Sequence, residues 1–261
     1  MDRKDKSGQV TDVITIIAIK ELNIIEKTSR EIPREITEEV DQYWTDLLEK
    51  NPGMFNGPVY SVRHMENTDG NVSVECELSD YAHYKYSEIH DLREYACRNI
   101  YAGCILVSSD GKLFVALNGE GSEFVGKIQI IGGAIDPADR IIGGSFSTED
   151  RWRQQPLSPT VAALRELEEE TGAAIRNSIT EIGKAYLVTN GKKYGIHTVA
   201  FSELDAKEIF SAFQDFKKET GNNEIDKLIS FGKDDLEKLK KYENNQDIGV
   251  VDLLKMLMAG I

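Results

Sequence analysis

Apolar and polar positions alternate in the first part of this chain and then shift to helical spacing. From Val10 to Lys20 (VTDVITIIAIK) the residues are apolar and β-branched, the pattern of a buried strand. Ser29 to Pro33 breaks it. From Thr37 to Glu49, Val40, Tyr43, Trp44, Leu47 and Leu48 share one face, which predicts an amphipathic helix ended by Asn51-Pro52-Gly53. Val59 to His64 and residues 71–79 alternate as paired strands do, across a polar turn from Met65 to Gly70. Asp80 to Tyr86 (DYAHYKY) is aromatic and polar; it is expected as a strand or loop packing its rings on the N-terminal part, the other reading being a platform for a nucleobase or sugar. Residues 87–100 read as a linker or short helix.

The second half opens with a hairpin, Tyr101 to Leu117, around Ser109-Asp110-Gly111. A strand from Lys127 to Ile131 runs into Gly132-Gly133. A helix is expected over Ser158 to Ala173, with Ser158 as N-cap, Pro159 at the first helical position and Gly172 as the stop. Strands follow at Ile182 to Thr189 and Ile196 to Ser202, around the turn Asn190-Gly191. Leu204 to Phe216 reads as a helix, Ile225 to Phe231 as a short edge strand, and Asp234 to Lys241 and Ile248 to Ala259 as C-terminal helices. No internal repeat is present.

Composition narrows the function. The chain has 261 residues, 40% hydrophobic and 29% charged, as expected of one large or two modest globular domains. Its net charge of −14 argues against non-specific binding to nucleic acid or to an anionic membrane. A phosphorylated small molecule stays open as substrate, because a bound cation reverses the local sign. Three cysteines, Cys76, Cys97 and Cys104, with no CxxC pair, point away from a disulfide framework or zinc site and toward a reducing cytoplasm. The segment MDRKDKSGQV has no apolar run, so no secretory leader is expected, and no stretch approaches membrane-spanning length.

The chemistry concentrates in SPTVAALRELEEETGA, Ser158 to Ala173. Glu166, Glu169 and Glu170 are i, i+3 and i+4 on a helix, so they share a face, while Leu164 and Leu167 turn to the core. Three carboxylates held this close repel one another. Oxygen-only donors call for a hard divalent cation, Mg²⁺ first and Mn²⁺ as a substitute.

The string Arg165-Glu166-Leu167-Glu168-Glu169-Glu170-Thr171-Gly172-Ala173 resembles the second half of the Nudix box, R-E-U-x-E-E-x-G-U with U apolar, at every fixed position. The preceding hairpin and the strand into Gly-Gly are similar to the way Nudix domains open. The first half of the box departs from the pattern. Leu157 stands where the upstream Glu belongs, and Arg151 where the Gly belongs. If Gly133 is the equivalent glycine, it lies 32 positions before Arg165 where the pattern sets 14, an insertion of 18 residues within Asp139 to Gln155. A second alignment, Gly143 with Glu149, restores the first half but leaves Glu149 too far from Arg165. Within the insertion, Arg140, Arg151 and Arg153 are candidate phosphate clamps and Trp152 a candidate stacking group, against a plain surface loop.

The resemblance implies an α/β fold, the Nudix α/β/α sandwich with a mixed sheet over residues 100–261, preceded by a smaller α+β N-terminal domain over 1–99. It implies a Mg²⁺-dependent hydrolase of nucleoside diphosphates linked to another moiety. Glu166, Glu169 and Glu170 are the expected metal ligands, with the Gly132 carbonyl. Arg165 is expected to orient a carboxylate, and Glu166 or Glu224 to act as general base. The region with Trp44, Pro52, Phe55, Asn56 and Gly57 is similar to that preceding the Nudix domain in UDP-sugar hydrolases, which favours a nucleotide sugar such as UDP-glucose. ADP-ribose and other nucleotides stay open, as does a catalytically impaired Nudix-like sensing module. A small-molecule nucleotide is the expected partner, and a homodimer is not excluded.

Overall fold

The computed structural model describes residues 13–122, 124–140 and 155–260. In chain order the elements are β1 (Thr15–Ile19), β2 (Glu21–Lys27), α1 (Arg34–Lys50), β3 (Pro58–Thr68), β4 (Asn71–Asp80), α2 (Tyr81–Ile89), β5 (Asn99–Val107), β6 (Leu113–Asn118), β7 (Ile128–Gln129) and β8 (Ile131–Ala134). There follow α3 (Pro159–Thr171), α4 (Ala173–Asn177), β9 (Ile179–Thr189), β10 (Tyr194–Ser202), α5 (Ala206–Thr220), β11 (Ile225–Phe231), α6 (Leu236–Lys240) and α7 (Val250–Gly260). This is an α/β fold with a mixed sheet.

The sheet runs β1-β9-β10-β5-β3-β4-β2, with β10 parallel to β5 and β2 parallel to β4. Its two ends are consecutive in the chain. Only Lys20 separates β1, which pairs with β9, from β2, which pairs with β4. The sheet is therefore curled, and one bent strand seals both ends of the run. The Lys20 N–H donates to the Gly70 carbonyl at 2.8 Å and holds the bend. Gly70 closes the two-residue β3–β4 turn with Asp69; both have positive φ (52° and 91°), as a type I′ hairpin requires.

Strand β5 is the hub. One edge carries β10 over Ile100 to Val107. The other edge passes from β3 at Asn99 and Ile100, to β8 at Tyr101 to Cys104, to β6 at Leu106 and Val107. Three strands sharing one edge must diverge, and the space between them is where the site opens. Residue 100, the expected start of the second domain, lies within this hub strand.

One face of the sheet packs on α3 and α5 through Ile100, Ala102, Cys104, Leu167 and Phe213. The other packs on α6 and α7 through Ile105, Val115, Val199, Leu239 and Leu254. The three cysteines are buried and unpaired. Among the described residues no helix is long and apolar enough to cross a membrane.

Several elements differ from the sequence reading. The first apolar run forms a half-exposed end strand, not a buried one, and continues past Lys20 as β2. Helix α1 begins three residues earlier than expected, at Arg34. Strand β3 runs on to Thr68, so the polar turn shrinks to two residues. The segment Asp80 to Tyr86 is a helix start, because the Asp80 carboxylate caps the His83 N–H at 2.9 Å. The Tyr101–Leu117 hairpin pairs only at Leu106–Phe114 and Val107–Leu113, since β6 turns away to β7 and β11.

Arg140 departs most from expectation. It is buried and does not present its guanidinium to a cavity. It binds the Glu26 carboxylate at 2.5 Å, the Gln155 carbonyl at 2.7 Å and the Pro137 carbonyl at 2.9 Å, tying β2 to the segment before α3. Arg151, Trp152 and Arg153 lie outside the described residues. Arg140→Met leaves two carbonyls without their donor and Glu26 with the Tyr60 hydroxyl alone, and should lower unfolding stability by roughly 2–3 kcal/mol in urea denaturation. A change under about 0.5 kcal/mol would mean that the pair is solvated and carries no structural load.

Candidate functional site

Helix α3 is fixed at both ends. Ser158 Oγ accepts from the Val161 N–H at 3.3 Å, and Pro159 occupies the first turn. Gly172 ends it with φ of 96°, and a Cβ there would meet the Phe216 ring at 2.8 Å. Ala162, Ala163 and Leu167 are fully buried against the sheet. This packing presses the carboxylate face onto the end of β8, where Gly132 and Gly133 pair with Gly103 and Ala102 of β5.

The glycines make that approach possible. A Cβ at Gly133 would lie 2.7 Å from the Glu166 carboxyl, and one at Gly132 would lie 2.2 Å from the Ala102 carbonyl. Glu170 is 4% exposed and its Oε2 accepts from the Gly132 N–H at 3.1 Å. Glu166 is mostly covered, whereas the Glu169 side chain is 58% exposed.

Arg165 uses its whole fork here. Its Nε and Nη2 bind both oxygens of Asp139, at 3.0 and 2.9 Å, and Nη2 also donates to the Ala134 carbonyl at 3.0 Å. Its Nη1 donates to Glu166 at 2.8 Å and to Glu169 at 2.9 Å. The buried Asp139 anchors the guanidinium, and the guanidinium holds two of the helix carboxylates. Asp139 was not singled out from the sequence. It lies 26 positions before Arg165, and no spacing rule links the two.

Glu224 comes in from the loop between α5 and β11. Its N–H donates to the Asn222 side chain at 2.8 Å, and its carbonyl accepts from Gly119 at 2.7 Å. The residue is exposed, and its charge is felt by Glu166 and Glu170. Burial and the Glu169 charge raise its pKa.

The other acids respond to the same crowding. Burial pushes Glu166 up to about 7, against the pull of Arg165 and with the push of Glu169 and Glu224. Glu170 is held well above the usual carboxylate range by burial, then by Glu224 and Glu166; the Gly132 N–H opposes this. The structure thus brings Glu166, Glu169, Glu170, Glu224, Arg165 and Gly132 into one neighbourhood. Among the described residues no three acids, histidines or cysteines converge closely enough to hold an ion as they stand. Arg165 grips Glu166 and Glu169, and Glu170 turns to the backbone. Leu157, in the place of the upstream acid, is buried and bridges to Arg140.

Beside this cluster opens a cavity of about 1000 Å³, with Gly132, Gly133, Glu224, Tyr81, Lys85 and Lys193 in its lining. Its walls include the Asn51–Phe55 loop and Phe124. The volume admits a molecule the size of a nucleotide derivative.

No family model matches the chain, and no curated protein matches it. Among solved structures, it is similar to a variant of the pyrophosphohydrolase BsRppH from Bacillus subtilis, at 16% identity and a TM-score of 0.24. The match covers 51% of this chain and 61% of that protein. A likeness this slight carries no argument, so the site is read from its own geometry.

The sign of the pH effect follows from Glu166. Folded, it keeps its proton up to about pH 7, against 4.5 for an ordinary glutamate. The folded state binds the extra proton between those values, so stability falls as pH rises through that window. Glu166→Gln should therefore raise the Tm of the metal-free protein at pH 8 by on the order of 5 °C, and leave it nearly unchanged at pH 4. The same Tm change at both pH values would mean that this carboxyl is not desolvated.

Proposed function

We propose that this chain is a Nudix-type hydrolase that cleaves the diphosphate bridge of a nucleoside diphosphate linked to another moiety, a nucleotide sugar being the favoured substrate. The observation that carries this reading is the packing of Glu166 and Glu170 against Gly133 and Gly132, with Glu169 held beside them by Arg165, where Gly132, Gly133 and Glu224 line a nucleotide-sized cavity. Residues 100–261 supply these groups, and residues 1–99 contribute to the lining.

The donor set suits a divalent cation. It is oxygen-only, and Glu166 and Glu170 hold protons too tightly because burial, and then the neighbouring acids, disfavour their charge. Glu166, Glu169 and Glu170, with the Gly132 carbonyl, would hold Mg²⁺, once Glu166 and Glu169 turn from Arg165. Bound there, Mg²⁺ would neutralise the diphosphate and make a water acidic enough to attack phosphorus. Arg165 is the positioning residue, since Asp139 fixes its plane and its remaining N–H group steers Glu166 and Glu169. Glu166 or Glu224 takes the proton of the attacking water, both being set nearer neutrality than a free glutamate.

A panel of nucleotide sugars, ADP-ribose, dinucleotides and nucleoside triphosphates, assayed for phosphate-containing products with Mg²⁺, tests the activity. Glu170→Gln and Glu169→Gln should each lose about 100-fold or more in kcat with unchanged circular dichroism. Near wild-type turnover in either variant would remove the assignment. Binding without turnover across the whole panel would favour a sensing module, a reading to which the Arg165 grip on two of the acids lends support.

A further inference from the structure

Asp247 lines the cavity from the segment between α6 and α7, outside the acid cluster on α3. The backbone there is pinned. The Asp247 N–H donates to the Ile128 carbonyl of β7 at 2.9 Å, and the Asp247 carbonyl accepts from the Val250 N–H at 3.3 Å. Asp247 Oδ2 accepts from the Tyr101 hydroxyl at 3.1 Å. Among the described residues, that hydroxyl is the one side-chain group bonded to the carboxylate.

Tyr101, which also lines the cavity, sits in a prepared slot. It packs edge-on against His197 of β10, with ring centres 5.7 Å apart. A Cβ at Gly195 would stand 2.8 Å from the Tyr101 hydroxyl oxygen and 2.6 Å from His197 Nε2, and one at Gly103 would stand 2.6 Å from His197 Nδ1. Two glycines on neighbouring strands thus leave room for a phenol and an imidazole side by side. Burial and the Asp247 charge raise the Tyr101 pKa well above the usual phenol range, so its proton stays in place and Tyr101 is the donor. A carboxylate offers about four acceptor positions, and the phenol occupies one of them.

This placement selects a chemistry. A carboxylate repels phosphate, so the phosphates of a nucleotide derivative keep clear of Asp247. What it attracts is a donor, and the most numerous neutral donors on a nucleotide sugar are the hydroxyls of its sugars. Two carboxylate oxygens side by side match two neighbouring hydroxyls, and a hydrogen bond to a charged acceptor is stronger than one between neutral groups. A site built this way rejects an analogue that lacks the hydroxyl.

We propose that Asp247, held by Tyr101, is the specificity-determining acceptor for a vicinal diol on the substrate's sugar. This rests on the nucleotide-sugar reading of the cavity. Tyr101 is the positioning residue. The ribose and the pendant sugar offer the same diol chemistry, and the probes separate them.

The test titrates three probes calorimetrically into the full chain in EDTA: UDP-glucose, its 2′,3′-dideoxyribose counterpart, and UDP methyl ester, which has no hexose. The wild-type chain should bind UDP-glucose about tenfold or more tighter than one of the two analogues, and that analogue identifies the sugar. Asp247→Asn keeps the size and an acceptor for Tyr101, and should lose most of that preference. Tyr101→Phe keeps the ring and its contact with His197, and should lose part of it; it gives the same reading if Asp247→Asn fails to fold. If Asp247 only repels anions, Asp247→Asn tightens all three probes alike. If it only ties Tyr101 in place, the preference is unchanged. If it meets a nucleobase N–H, all three weaken alike. Each of these outcomes overturns the proposal, as does no binding of UDP-glucose at millimolar concentration. Failure of the hydrolase reading shows separately, as absence of Mg²⁺-dependent turnover in a chain whose hydroxyl preference still depends on Asp247.

Discussion

The site depends on one unfavourable act, the burial of carboxylates beside one another. Glu170 is nearly inaccessible, and Glu166 lies against a glycine with no room for a side chain. Isolated buried carboxylates take up protons instead of tolerating such a place. The fold supplies partial compensation through the Gly132 N–H and through Arg165, itself secured by Asp139. What is left uncompensated is the desolvation of Glu166 and Glu170, which raises both of their pKa values.

That packing depends in turn on how β5 is shared. Because β3, β8 and β6 take successive parts of one edge, β8 can end in two glycines beneath a helix without closing the sheet over them. The same divergence leaves the large cavity. Its lining draws on both parts of the chain: α1, α2 and their loops, together with Gly132-Gly133, Lys193 and Glu224. Neither half of the sequence builds the cavity by itself.

Much of this was legible in the sequence, for stated physical reasons. The ends of α3 are encoded locally by Ser158, Pro159 and Gly172, so they fell where expected. The spacing of Glu166, Glu169 and Glu170 settles which face they share. The β9–β10 hairpin follows from Asn190-Gly191 between apolar runs. What was not legible is non-local. Asp139 as the anchor of Arg165, Arg140 as a buried tie to Glu26, and Tyr101 as the hydrogen-bond partner of Asp247 all join positions that no periodicity connects. The helix at Tyr81 was hidden for another reason: its aromatic content favours strands, and the Asp80 cap overrode that preference. The bend at Lys20 was missed because a single polar residue in an apolar run looks like an interruption rather than a corner.

That corner bears on how the chain reaches its folded state. β1 pairs in register with β9, Thr15 against Thr189, whereas β2 pairs with β4, Glu21 against Asn71. During synthesis β4 follows β2 after one helix and one strand, whereas β9 comes long after β1. Loop closure over so long a separation is slow, and an unpaired apolar strand invites wrong neighbours in the meantime. β1 thus waits for β9 before it finds its place, and in the interval it is the stretch for which a chaperone would matter most.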